Sequence, residues 1–225
     1  EMMSVVTPTL HGDIKTGQNT FLNIPVSVED LHLSRAARNI WITVEGAEPW
    51  SATGNSAPQI ANRFAADSEE APVTLKAGFL WHRITRRNAG LGLQAEITSF
   101  VPPGDNQVEL MKVTLTNLKE QPITFQATAA IPMYGRSADN LRDHRHVTAL
   151  LSQISLHSHG VLLKPSLSFD EKGHRPNTVT YSVLGFDDEG APPVGFYPVL
   201  GEFIGEGGSL DWPAAVINSR QHDYQ

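Results

Sequence analysis

Residues 134–146 read YGRSADNLRDHRH, and eight of these thirteen positions carry an ionisable side chain. They are Tyr134, Arg136, Asp139, Arg142, Asp143, His144, Arg145 and His146. Such a run suits three chemistries: acid–base hydrolysis by paired carboxylates, metal ligation by an H-x-H pair, or directional binding by arginine. A general acid needs a carboxyl kept protonated by its surroundings. Asp139 and Asp143 instead stand among Arg136, Arg142 and Arg145, and neighbouring positive charge favours the ionised form. Salt bridging is therefore the preferred reading. His144 and His146 would share one face of a strand, as would His157 and His159, but a metal site needs a third and a fourth ligand. Val147 to Leu151 supply no carboxylate. No metal is expected.

A second chemistry is sugar recognition, in which aromatic rings meet the apolar C–H face and fixed polar groups meet the hydroxyl rim. Trp41, Trp50, Trp81 and Trp212 are the available rings. Trp41 and Trp81 sit in strand-like runs and are expected in the core. Trp50, in the polar stretch EPWSATGNS, is the ring expected to face a ligand or partner. No G-x-S-x-G elbow, P-loop or dinucleotide fingerprint occurs, and GEGG at 205–208 reads as a turn. No cofactor is expected.

The elements that must position these residues follow a period of two. Ile123, Phe125, Ala127, Ala129 and Ile131 alternate with other residues, as do Leu91, Leu93, Ala95, Ile97 and Val101. Each pattern predicts a strand with one buried face. Further strands are expected at 40–45, 73–84, 108–116, 161–169, 178–186 and 194–204, and a short helix at 30–38 capped by Asp30. A strand over about 145–156 is preferred to a helix, although Val147, Leu150, Leu151 and Ile154 also match helical spacing. Turn residues at 102–106, 117–122, 158–160, 187–190 and 205–209 separate the elements. Many short strands with regular turns predict an all-β sandwich or barrel in one domain.

The 225 residues, 40% of them hydrophobic, suffice for a sizeable core. A net charge of -7 argues against nucleic acid and against an anionic membrane surface. The chain has no cysteine, which excludes disulfides and thiol chemistry and fits a reducing compartment. The start, EMMSVVTPTL, has no signal-peptide pattern, and nothing approaches the roughly 20 apolar residues of a membrane span. A cytoplasmic location is expected.

Four longer stretches, in order, carry a resemblance: NIWITVEGAEPWSATGNS, GLGLQAEITSFVPPGDNQVELMKVTLTN, AAIPMYGRSADNLRDHRHVTALL and PVGFYPVLGEFIGEGGSLDWP. Together they resemble the N-terminal domain of glycoside hydrolase family 94, formerly glycosyltransferase family 36. These enzymes are phosphorylases of β-linked glucosides. The similarity is greatest to members acting on β-1,2-linked oligoglucans, beside those acting on cellobiose. It runs from about residue 35 to about residue 216 and rests on order and extent, since none of the stretches is a catalytic signature.

The resemblance implies a two-sheet antiparallel supersandwich, galactose-mutarotase-like in architecture. In the family it precedes a helical linker and an (α/α)6 barrel that carries the general-acid Asp and the phosphate site. Residues 1–225 are then expected to be one β-sandwich domain, the truncated N-terminal part of a larger phosphorylase and non-catalytic alone. The implied partners are a β-glucan oligosaccharide and inorganic phosphate in the full-length enzyme, and a second copy in a homodimer. Trp50, Arg136, Asp139, Arg142, Asp143, His144 and Arg145 are the candidates for the substrate rim or the subunit interface. Two alternatives remain open. A mutarotase-like epimerase would draw an acid from His82, His144, His146, His157 or His174 and a base from Glu96, Glu202 or Glu206. A free-standing carbohydrate-binding module would depend on Trp50.

Overall fold

The computed structural model describes residues 1–65, 73–141, 150–170 and 173–218. The chain opens with a three-stranded meander, β1 (Met3–Ser4), β2 (Ile14–Gly17) and β3 (Thr20–Phe21). Buried Asn23 fastens it to the next segment, accepting from the Ile14 amide at 2.8 Å and donating to the Ala36 carbonyl at 3.1 Å. Two 3-10 turns, Val28–Asp30 and Ser34–Ala36, lead into β4 (Asn39–Val44) and the short β5 (Trp50–Ser51). Helix α1 (Ala57–Arg63) begins where the Ser56 hydroxyl accepts from the Gln59 amide at 3.3 Å. Pro58 in its first turn has no amide to satisfy, which suits that position.

A four-stranded sheet follows in chain order: β6 (Thr74–Gly78), β7 (Trp81–Asn88), β8 (Leu93–Phe100) and β9 (Leu110–Asn117). Then β10 (Phe125–Ala130) returns to pair with β4, giving a sheet ordered β10-β4-β5. The last strands are β11 (Ser152–His157), β12 (Gly160–Pro165), β13 (Leu167–Asp170), β14 (Gly173–Pro176) and β15 (Tyr181–Leu184). Of these, β11-β12-β15 form one sheet and β13-β14 a hairpin. Two short helices close the described chain, α2 (Leu200–Ile204) and α3 (Ala214–Ile217). Every strand pairing among the described residues is antiparallel.

The main core lies between two sheets. Ile40, Ile42 and Trp50 come from β4 and β5, and Ile84, Leu93, Ala95 and Ile97 from β7 and β8, with Leu10 added from the N-terminal segment. Alternation along β8 explains its share: Leu93, Ala95 and Ile97 point inward while Gln94, Glu96 and Thr98 point to solvent. The opposite face of β4 is covered too. Trp41 packs there with Phe203 of α2 and with Ala215 and Val216 of α3. Burial on both faces gives NIWITV its near-continuous apolar character.

The chain is mostly β and antiparallel, as expected of a supersandwich, with the strands of the described residues in five sheets of two to four strands, and four local expectations are corrected. Residues 194–204 form loop and helix α2, whose Phe203 reaches Trp41. Residues 30–38 hold 3-10 turns, since Arg38 is drawn into an interior ion pair instead of ending a helix at the surface. The apolar alternation of 123–131 is buried only in part: Ile123 packs against the main core, while Phe125, Ala127 and Ala129 are exposed on β10, an edge strand. Residues 73–84 contain a strand, the turn at Phe79 and Leu80, and the start of another strand. In the expected strand at 145–156, β11 begins at Ser152, and residues 142–149 lie outside the described residues.

Candidate functional site

Of the charged run, Tyr134, Arg136 and Asp139 fall on described residues. Arg136 pairs with Phe21 through two backbone hydrogen bonds, of 3.0 and 3.3 Å. Its guanidinium carbon lies 5.1 Å from the centre of the Tyr134 ring. Burial pushes the Tyr134 hydroxyl up to about 12 and lowers the pKa of Arg136. Asp139 is exposed at the start of a 3-10 turn, Ala138–Leu141, its amide donating to the Ser137 hydroxyl at 3.3 Å. Arg136 is therefore held against an aromatic ring while Asp139 faces water. Arg142, Asp143, His144 and Arg145, with His146, lie outside the described residues.

The tryptophans exchange the places expected of them. Trp50 is only 5% exposed, because its pairing with Ile42 sets the ring beside Ile42 in the core. Trp81 is 39% exposed on the solvent face of β7. It stands directly opposite Phe100, which stands opposite Leu110, so three strands contribute to one apolar row. Phe79, 89% exposed, and Leu80 extend this row at the hairpin turn. Gly78 makes room for the indole, since a Cβ there would strike Trp81 Nε1. The adjacent row is polar: Arg83 donates to the Thr98 hydroxyl at 2.9 Å and lies 3.4 Å from Glu96.

His82 and Glu96, both considered for acid–base work, project from opposite faces of this sheet. His82 shares the inner face with Ile84, whereas Glu96 pairs with Thr85 on the outer one. His82 Nε2 is buried without a hydrogen-bond partner among the described residues, and burial lowers its pKa. The rings of exposed His157 and half-buried His159 lie 5.6 Å apart at the β11–β12 turn. Among the described residues no group of three or more His, Cys, Asp or Glu is arranged to hold a metal. No helix among them is long and apolar enough to cross a membrane.

Sequence reasoning missed a buried polar layer on the second face of β4. Asn39 Oδ1 accepts from the Ser51 and Thr53 hydroxyls, each at 2.7 Å. Asn55 Nδ2 donates to Thr53 Oγ1 at 3.0 Å and to the Thr9 carbonyl at 2.7 Å. The Thr9 hydroxyl lies 3.0 Å from His11 Nδ1. Burial chiefly, aided by His32, Arg63 and Arg38 against the opposing pull of Asp30, lowers the His11 pKa from 6.5 to about 4. The ring is therefore neutral at pH 7. Next to it Leu10, a buried residue held at φ +59, turns its own side chain into the main core.

This layer forms one wall of a cavity of about 260 Å3. Its polar lining is His11, His32, Ser34, Asn39, Asn55 and Asp211, and its apolar lining includes Ile60, Ala130 and Leu210. No sequence period announces the site, because its walls come from the N-terminal segment, β4, α1, the end of β10 and the segment before α3. The sole local signal is TGNS at 53–56, which reads as a solvated turn yet is fully buried.

A family model described as the supersandwich domain of glycosyl hydrolase 94 matches residues 24–224. No curated protein matches the chain.

Proposed function

The chain belongs to the glycosyl hydrolase 94 supersandwich domain family, and from that premise we propose that it is a non-catalytic docking domain of a β-glucoside phosphorylase. In this reading it supports a homodimer and helps to shape the entrance to an oligosaccharide site. The glucan and the inorganic phosphate react in another domain of the enzyme. We assign the substrate to the β-1,2-linked oligoglucans on the strength of the sequence resemblance. A cytoplasmic location belongs to the same proposal.

The observation that carries the docking role is the apolar row of Phe79, Leu80, Trp81, Phe100 and Leu110. An exposed cluster of aromatic and aliphatic side chains beside a charged row has the make-up of an interface core and its rim. The neighbouring Lys76, Arg83 and Lys112, cross-strand partners or neighbours in one polar row, supply that rim. A second copy is the occupant we assign, because the sequence resemblance implies a homodimer and the net charge of -7 sets no repelling cationic excess against this row. Sedimentation velocity tests this. The wild-type protein is expected to dimerise at micromolar concentration and the Phe79→Ser/Trp81→Ser variant to be monomeric. A wild-type monomer, or a variant that still dimerises, overturns the assignment.

A further inference from the structure

The cavity beside His11 stands apart from the docking reading and does not depend on the family. Asn39 is 4% exposed and engages its carbonyl oxygen with two hydroxyls, which leaves its Nδ2 amide without a partner among the described residues. His11, equally buried, engages Nδ1 with Thr9, and its Nε2 has no partner among the described residues. Asn55 Oδ1 is buried and unpartnered. Two hydrogen-bonding atoms of otherwise buried side chains, Asn39 Nδ2 and His11 Nε2, are thus left open at the cavity beside Asn55, and an occupant with hydroxyls satisfies them.

The lining also fixes the charge and size of that occupant. No lysine or arginine lines the cavity, and its one acidic residue is Asp211. An anion such as phosphate would find no guanidinium or ammonium there, only the imidazoles of His11 and His32, and no three His, Cys, Asp or Glu among the described residues are arranged to hold a metal. A volume of about 260 Å3 corresponds to roughly nine waters at ~30 Å3 each. It falls below the ~300–1,000 Å3 of sites for drug-sized ligands. Ile60, Ala130 and Leu210 suit C–H groups, and the amides and imidazoles of the same lining suit hydroxyls. A small molecule with apolar C–H groups and several hydroxyls matches this mixed lining.

The geometry points to a binding site for one small neutral polyhydroxylated ligand, of the size of a single hexose or cyclic polyol. In it the Asn39 amide donates to a ligand hydroxyl, and His11 Nε2 bonds a second.

Side-chain amide NMR of the 15N-labelled chain tests this, with D-glucose, myo-inositol and inorganic phosphate as separate probes. The Asn39 amide resonances are expected to shift saturably with at least one of the two neutral probes and to stay fixed with phosphate. Asn39→Ala risks the fold, so the decisive variant is Ile60→Trp, which fills the cavity from a helix with no buried residue. It is expected to weaken binding about tenfold or more, ~1.4 kcal/mol, at unchanged stability. Absence of any saturable shift, a shift with phosphate, or a shift indifferent to Ile60→Trp each overturns the assignment.

Discussion

Arg38 and Glu109 lie 71 positions apart and meet in a two-pronged ion pair, Nε to Oε1 at 2.7 Å and Nη2 to Oε2 at 2.9 Å. Both side chains are almost wholly buried. Arg38 also donates to the carbonyls of Leu10, Gly12 and Asp13, and Ser4 donates its hydroxyl to Glu109. One guanidinium thus ties the N-terminal meander and the start of β4 to the strand-end of β9.

Because the pair is buried, removing one partner strands the other. Glu109→Gln is expected to cost about 3–5 kcal/mol in urea unfolding. The Arg38→Met/Glu109→Leu double variant should lose less than the sum of the two single losses. Strict additivity would show that the pair acts through packing and not through charge.

The exchange of roles between tryptophans gives a second test. Trp50→Ala empties part of the main core and is expected to cost about 3–5 kcal/mol. Trp81→Ala removes an exposed ring and should cost under about 1 kcal/mol. Equal losses would contradict the placement of the two rings.

Burial of His11 makes stability depend on pH in one direction. The unfolded imidazole titrates near 6.5 and the folded one near 4, so the unfolded chain binds more protons between those values. Stability is therefore full above about 6.5 and falls as the pH drops towards 4, by about 2–3 kcal/mol. Thermal midpoints of wild type and His11→Gln, taken from pH 7.5 to 4.5, should converge as the pH falls. Parallel curves would place the imidazole in water.

Gly54 lies at φ +80 with the Arg86 guanidinium pressed against it, so that a Cβ would stand 2.5 Å from Arg86 Cζ. Gly46 has φ +75 and open space around it. Both alanine variants meet backbone strain of about 1–2 kcal/mol, and only Gly54→Ala also displaces the guanidinium. Its Tm should fall below that of Gly46→Ala, and equal values would remove Arg86 from the account.

What the sequence disclosed tracks how local each signal is. The alternation of Leu93, Ala95 and Ile97 announced a half-buried strand, and the strand is there. The same alternation at Phe125, Ala127 and Ala129 named the residues on one face, but whether a sheet covers that face depends on β10 lying at an edge. Trp50 belongs to a strand of two residues, too short for any period to tell inside from outside. The His11 cavity and the Arg38–Glu109 pair join segments far apart in the chain, and neither has a pattern in one dimension.

The central claim, that this supersandwich is a non-catalytic part of a β-glucoside phosphorylase, is tested most directly by assaying phosphorolysis. The purified chain would be incubated with a β-1,2-linked gluco-oligosaccharide and inorganic phosphate, and glucose 1-phosphate measured over time. The account predicts none above the protein-free blank. Glucose 1-phosphate formed in proportion to protein concentration would contradict it and place a catalytic site within this chain.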